Sequence, residues 1–246
     1  METNECILTR RSIRKFYDIP VPLEYITDII NAGIHAPSAG NLQSYKFVVV
    51  TDDETRLKIS DACLSQAWIT TAPVIIVICS EVEKLERLYG MRGKKMYSLQ
   101  ECACVAENML LRAHELDLGA CFVSAFDNDM LREVIDAPKE VVPQVVIPLG
   151  YADEKVPKTA KYEVRDLTYF DTWDQKDVTR PWPLVKFKKP IQKKAKSITD
   201  HIKEKVYNAL DKINKAQKKA MNKEDIDKNI ASEQKFYSDY QDNKKR

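Results

Sequence analysis

Within seven residues, Arg10-Arg11-Ser12-Ile13-Arg14-Lys15-Phe16 sets three guanidinium groups, an ammonium and a hydroxyl side by side. A phosphate monoester is close to a dianion near neutral pH, and guanidinium N–H groups match its oxygens in charge and geometry. Hydrogen bonds to a charged partner are worth roughly 1.5–3 kcal/mol each. Arg10, Arg11, Ser12 and Arg14 are therefore candidate phosphate ligands. Further along, His35-Ala36-Pro37-Ser38-Ala39-Gly40-Asn41-Leu42-Gln43-Ser44 leads into the apolar Phe47-Val48-Val49-Val50. Asn41 and Gln43 each offer donors and an acceptor, the chemistry that satisfies the polar edge of a heterocycle. Together the two segments suit a ligand with a phosphate at one end and a polar ring at the other. Each also has a bland alternative: a solvated basic turn, and a helix-to-strand loop whose turn-formers serve only the backbone.

The elements that must hold these segments follow from periodicity. Between Pro22 and His35, Leu23, Ile26, Ile29, Ile30 and Ile34 recur at helical spacing, with Pro22 suited to the first turn. A strand is expected over Phe47–Thr51, a helix over about 53–63 with Leu57 and Ile59 inward, and a buried strand over 73–79. Residues 81–96 are charged, contain Gly90 and Gly93 and lack a clear period, so a mobile segment is expected there. A long helix from about Tyr97 to Leu116 should stop at Gly119. Cys121–Ala125 reads as a short strand, Asp127–Ile135 as a short helix and Val141–Leu149 as the last core strand. This alternation, taken alone, points to a doubly wound parallel sheet. No GxGxxG or P-loop run follows any strand, so neither nucleotide-binding version has support.

Five segments carry the reading further: RRSIRKF, APSAGNLQSYKF, QAWITTAPVIIVI, ENMLLRAHELDLGACFVSAFD and VVIPLGYADEKVPK. In order and spacing they resemble the compact FMN-dependent nitroreductase family, over about residues 5–174. One departure is Gln43-Ser44, where the family usually has Gln-Pro. The resemblance implies an α+β, three-layer fold with a central β-sheet flanked by helices, in an obligate homodimer with FMN sites at the interface. It implies that Arg10, Arg11, Ser12 and Arg14 meet the ribityl phosphate and the adjoining flavin edge. Pro37, Ser38 and Asn41 match positions contributed by the opposite subunit, with Asn41 and Gln43 suited to the flavin pyrimidine edge. Ser124 and Ala125 match the small pair near flavin N5. Lys158 and Lys161 fall where the family adds a late phosphate contact, although its usual arginine is missing here. Val164 to Trp173 resembles the arm that crosses onto the partner subunit, and residues 81–96 correspond to a substrate-selecting lid.

The activity implied is ping-pong hydride transfer from NAD(P)H, through flavin N5, to an oxidised small-molecule acceptor such as a nitroaromatic, a quinone or a flavin. The flavin carries that chemistry, so no side chain is nominated as acid or base. Arg14 is the candidate cation beside N1 and O2, where it would stabilise anionic reduced flavin. The alternatives are another flavin reaction on the same fold, such as flavin reduction or reductive dehalogenation, and a binding or scaffolding role carried by the C-terminal tail.

Charge separates that tail from the body. The chain's net charge of +2 conceals 20 Lys and Arg against 10 Asp and Glu in residues 175–246, and 19 against 27 in residues 1–174. The expected organisation is a domain over 1–174, a Pro-containing linker over 175–195 and a basic amphipathic helical tail over 196–246. The tail could dock on the acidic body of its own dimer, or on another acidic or membrane surface. Nucleic acid is not expected, because aromatic residues in the tail are few and not interleaved with the basic ones. Six scattered cysteines without a CxxC pair, and three distant histidines, give no metal-ligand spacing and read as reduced, buried thiols. The acidic Met1–Glu5 start lacks a signal-peptide core, and the longest strongly apolar run, 72–79, is far short of a membrane span. A cytoplasmic location is expected.

Overall fold

The computed structural model describes residues 1–173, so the expected linker over 175–195 and basic helix over 196–246 lie outside the described residues. The chain divides into two units, Met1–Tyr162 and a second that begins at Glu163. The described part of the second holds a single 3-10 turn, Val164–Asp166, with Arg165 paired to Glu163 at 2.8 Å.

In the first unit, strands β1 (Tyr45–Val50), β2 (Val74–Glu81), β3 (Gly119–Ala120) and β4 (Val141–Gly150) form one sheet in the order β1-β2-β4-β3. Every pairing is antiparallel, which corrects the parallel sheet that alternation of helix and strand suggests. Alternation specifies which elements follow one another, not the direction of each return. Here Val50 pairs with Ile75, so the excursion between β1 and β2 re-enters the sheet at the end from which it left. The chain leaves β2 at Glu81, opposite Val141, but re-enters at β3 beside Leu149 and Gly150, at the other end. Strand direction therefore reverses from β1 to β2 and from β3 to β4, while β2 and β3, both antiparallel to β4, run the same way.

The middle strand β2 is buried on both faces. Val74, Ile76 and Ile78 pack with residues of α2 (Leu23–Ile34) and α5 (Ser98–Glu115). Ile75, Val77 and Cys79 pack instead with α3 (Asp53–Ala62) and α6 (Asn128–Val134). Because side chains alternate along a strand, a continuous apolar run serves two cores at once. The result is the expected central sheet with helices on both faces.

Several boundaries differ from the sequence reading. Leu57 is exposed while Ile59 is buried, since residues two apart on a helix face different sides. Residues 81–96 are not aperiodic: they form α4 (Val82–Arg92), with Val82 and Leu85 buried, followed by a π-helical turn at Gly93–Tyr97. Asp117, with φ of 61°, takes the left-handed position after α5. Gly119, expected there, instead begins β3, where a Cβ would lie 2.9 Å from the Ile13 side chain. The expected strand over 121–125 reduces to one bridge, Val123 to Val146. An N-terminal helix, α1 (Thr3–Thr9), was not signalled by any apolar period. No helix among the described residues is long and apolar enough to cross a membrane.

Candidate functional site

The arginine segment is laid along the sheet edge by its apolar members. Ser12 bridges Ala120, and the Ile13 N–H donates to the Ala120 carbonyl at 3.1 Å. Phe16 bridges Ala152, and the Tyr17 N–H donates to the Tyr151 carbonyl at 2.9 Å. Ile13 and Phe16 are buried against Ala72, so the alternate residues Ser12 and Arg14 point elsewhere. The sequence thus holds the basic residues between β3 and the stretch that follows β4.

The arginines do not behave alike. Arg11 donates to the carbonyls of Leu8 at 3.0 Å and Arg10 at 2.6 Å, capping the end of α1. Arg10 Nε is buried without a hydrogen bond, its anion Glu107 standing 3.6 Å away. A charged donor in that state suits an added acceptor such as a phosphate oxygen. Beside it, His114 Nε2 lies 2.8 Å from the Thr9 hydroxyl, and burial together with Arg10 holds its pKa below the ordinary value. The Cys121 thiol is pushed up by burial, while Arg14 and the Ser12 hydroxyl pull the other way. Lys158 and Lys161 are exposed, and among the described residues neither forms an ion pair with this segment.

A side-chain relay joins Arg14 to Ala125, which is exposed like its neighbour Ser124. The Arg14 guanidinium sits 5.8 Å above the Trp68 ring. Trp68 Nε1 donates to Gln66 Oε1 at 3.3 Å, and Gln66 Nε2 donates in turn to the carbonyls of Cys63 at 2.8 Å and Ala125 at 3.3 Å. Residue types and spacing alone do not mark Trp68 and Gln66 as site residues. Their signal was present in the quoted QAW run, but a Trp before an apolar strand reads first as core.

The polar loop forms a separate feature. Gly40, Asn41 and Gln43 all adopt left-handed conformations, with φ of 56°, 56° and 49°. Ser38 Oγ accepts from the Gln43 amide at 3.2 Å, and the Gln43 side-chain amide donates to Asn41 Oδ1 at 2.8 Å. Pro37, Asn41 and Gln43 are exposed, so the loop presents its amide groups outward. Among the described residues no hydrogen bond or ion pair joins this loop to the arginine segment of the same chain. Nor does any cluster of three or more His, Cys, Asp and Glu there suit a metal ion.

This geometry has known counterparts. A family model described as the Nitroreductase family matches residues 7–70 and 64–151. A Methanothermobacter thermautotrophicus protein, provisionally named NADH dehydrogenase/NAD(P)H nitroreductase, is 34% identical over 177 residues, covering 70% of this chain and 88% of its own. A Bacillus subtilis protein named FMN reductase (NADPH) is 26% identical over 179 residues, covering 65% of this chain and 72% of its own. A Parabacteroides distasonis crystal structure, provisionally named like the archaeal protein, superposes with a TM-score of 0.62 at 27% identity, covering 70% of this chain and 98% of that one. With the five sequence segments, the antiparallel three-layer fold and the match across most of the first unit in agreement, the chain belongs to the nitroreductase family.

Proposed function

We propose that this chain is an FMN-dependent oxidoreductase that takes hydride from NAD(P)H and passes it to an oxidised small-molecule acceptor, a nitroaromatic, a quinone or free flavin. The observation that carries this reading is one basic segment that holds both the buried, unbonded Arg10 Nε and an Arg14 linked through Trp68 and Gln66 to Ala125. Bound FMN would supply the hydride chemistry at N5, in two ping-pong half-reactions. The residues of the chain bind, orient and screen. Arg10, Arg11, Ser12 and Arg14 meet the phosphate and the near flavin edge, with Lys158 and Lys161 as late phosphate contacts. Ser124 and Ala125 border N5. Arg14 lowers the energy of negative charge at N1 and O2.

Pro37, Ser38, Asn41 and Gln43 complete the pocket from the second subunit of a homodimer. Their separation from the arginines within one chain supports this, as do exposed apolar side chains on three helices: Ile7 of α1, Leu23 of α2 and Leu99 of α5. Leu88 and Met91 of α4, also exposed, lie in the segment assigned to acceptor selection. The B. subtilis relative's name, FMN reductase (NADPH), favours free flavin among the acceptors.

The test is the visible spectrum of the full chain after FMN addition and desalting, then anaerobic titration with NADH and NADPH. Retained flavin bands that bleach with either reductant support the reading. A chain that keeps no flavin has its arginines serving another ligand, and the proposal falls.

A further inference from the structure

Beneath the polar loop lies a carboxyl group that the proposed chemistry does not use. Glu101, in the first turn of α5, is 3% exposed. Its Oε1 accepts from the Ser44 hydroxyl, while Oε2 is buried without a hydrogen bond. Ser44 Oγ also lies 2.8 Å from Ser80 Oγ of β2, and both serines are fully buried. Backbone N–H groups of Ser44 and Ala39 favour the ionised carboxylate as well. Through the Ser44 hydroxyl, Glu101 therefore ties down the C-terminal end of the Gly40–Gln43 turn, whose left-handed residues need an external constraint. Ser44 is also the position at which this chain departs from the Gln-Pro of the family it belongs to. A proline there would offer neither the hydroxyl nor the N–H.

We propose that Glu101 and Ser44 form a buried, proton-responsive latch that sets the shape of the 38–43 loop and through it the flavin affinity of the site. The inference rests on the reading of that loop as part of the flavin pocket. Ionised, Glu101 accepts from the loop; protonated, it is a weaker acceptor and the loop loosens. Burial raises its pKa from the ordinary carboxylate value, while the Ser44 contacts oppose that shift. The other groups facing it are Lys84 from α4, Tyr45 from β1 and Cys102 on its own helix. Burial raises both Tyr45 and Cys102, so they stay neutral as Glu101 titrates.

The test uses the full-length chain freed of flavin, titrated with riboflavin and with FMN by fluorescence quenching between about pH 5 and about pH 8. Riboflavin has no phosphate, so titration of the phosphate and of its neighbours drops out. For the wild type, riboflavin should bind about tenfold more weakly at the acid end. Glu101→Gln keeps the shape but cannot titrate, and should bind riboflavin with the wild type's acid-end affinity at every pH. Ser44→Ala should weaken binding at the alkaline end and flatten the step, and decides the matter if Glu101→Gln fails to fold. A purely packing role would lower melting temperature without removing the pH step. Variants that bind both flavins like the wild type at every pH overturn the latch and leave the flavin site standing. A wild type that binds neither flavin overturns both.

Discussion

Trp68 is the residue on which several parts of the candidate site converge. It offers a ring face to Arg14 and an N–H to Gln66, which in turn fixes the Ala125 carbonyl. An exposed cation–π contact is worth about 0.5–1 kcal/mol, and a neutral hydrogen bond contributes a similar amount. Trp68→Ala should therefore weaken FMN binding by about tenfold, and Trp68→Phe, which keeps the face but not the N–H, by less; flavin fluorescence titration measures both. Gly40 makes a different demand. With φ of 56°, a substituted residue is strained whatever the space, whereas the Tyr89 hydroxyl 2.5 Å from a new Cβ can swing aside. Gly40→Ala should cost about 1–2 kcal/mol and lower the melting temperature by several degrees.

Among the elements, the contact between β3 and the arginine segment connects packing to the site. At Gly119 a Cβ would lie 2.9–3.0 Å from three atoms of Ile13, a β-branched side chain with little rotamer freedom. Ile13 is buried between Ser12 and Arg14, so displacing it moves both candidate phosphate ligands. Gly119→Ala is expected to lose FMN affinity by more than it loses riboflavin affinity, since the arginines act on the phosphate. Equal losses for the two flavins would mean that Ile13 gives way without carrying its neighbours along. Helix α4 illustrates how composition misleads. Its charged residues and glycines lack a clear period, yet they form a helix that Val82 and Leu85 anchor by burial, with Leu88 and Met91 left exposed.

For the whole molecule, acid behaviour follows from the carboxylates that the fold keeps ionised. Glu115 is held low by its bond to Arg112, Asp153 by Lys15 and Tyr17, and Asp52 by Thr55 at the start of α3. Each has a folded pKa below its unfolded one, so its stabilisation is complete above the unfolded value and disappears as pH falls through the folded one. Glu101 has the opposite sign: its raised pKa favours the folded state at low pH, and that advantage declines as pH rises above the ordinary carboxylate value. Melting temperature should fall steadily below about pH 4, where the larger group dominates, as thermal scans across that range will register. Assembly is the second expectation at this level. Sedimentation should give twice the mass of one chain, and Leu23→Glu or Leu99→Glu, at exposed apolar positions, should shift it toward the monomer and release FMN.

Much of the local structure could be read before any fold was known. The period of Ile26 and Ile29 gave α2, and the run from Val74 to Cys79 gave a strand buried on both sides. The five quoted segments identified the family because they preserve spacing as well as composition. These are short-range properties: periodicity depends on the geometry of one element, and a turn's chemistry on a few neighbours. The direction of the strands could not be read this way, because antiparallel pairing depends on where each excursion re-enters the sheet. Nor could Glu101 be distinguished from the other acids of α5, since its partner Ser44, itself bonded to Ser80, is remote in sequence and the three meet only when β1, β2 and α5 pack. The same holds for Trp68, which composition assigns to the core and the folded chain sets beneath Arg14. Residue types and spacing determined the elements and the chemistry on offer; tertiary packing decided which groups meet, because burial and long-range contact do not exist until the layers close.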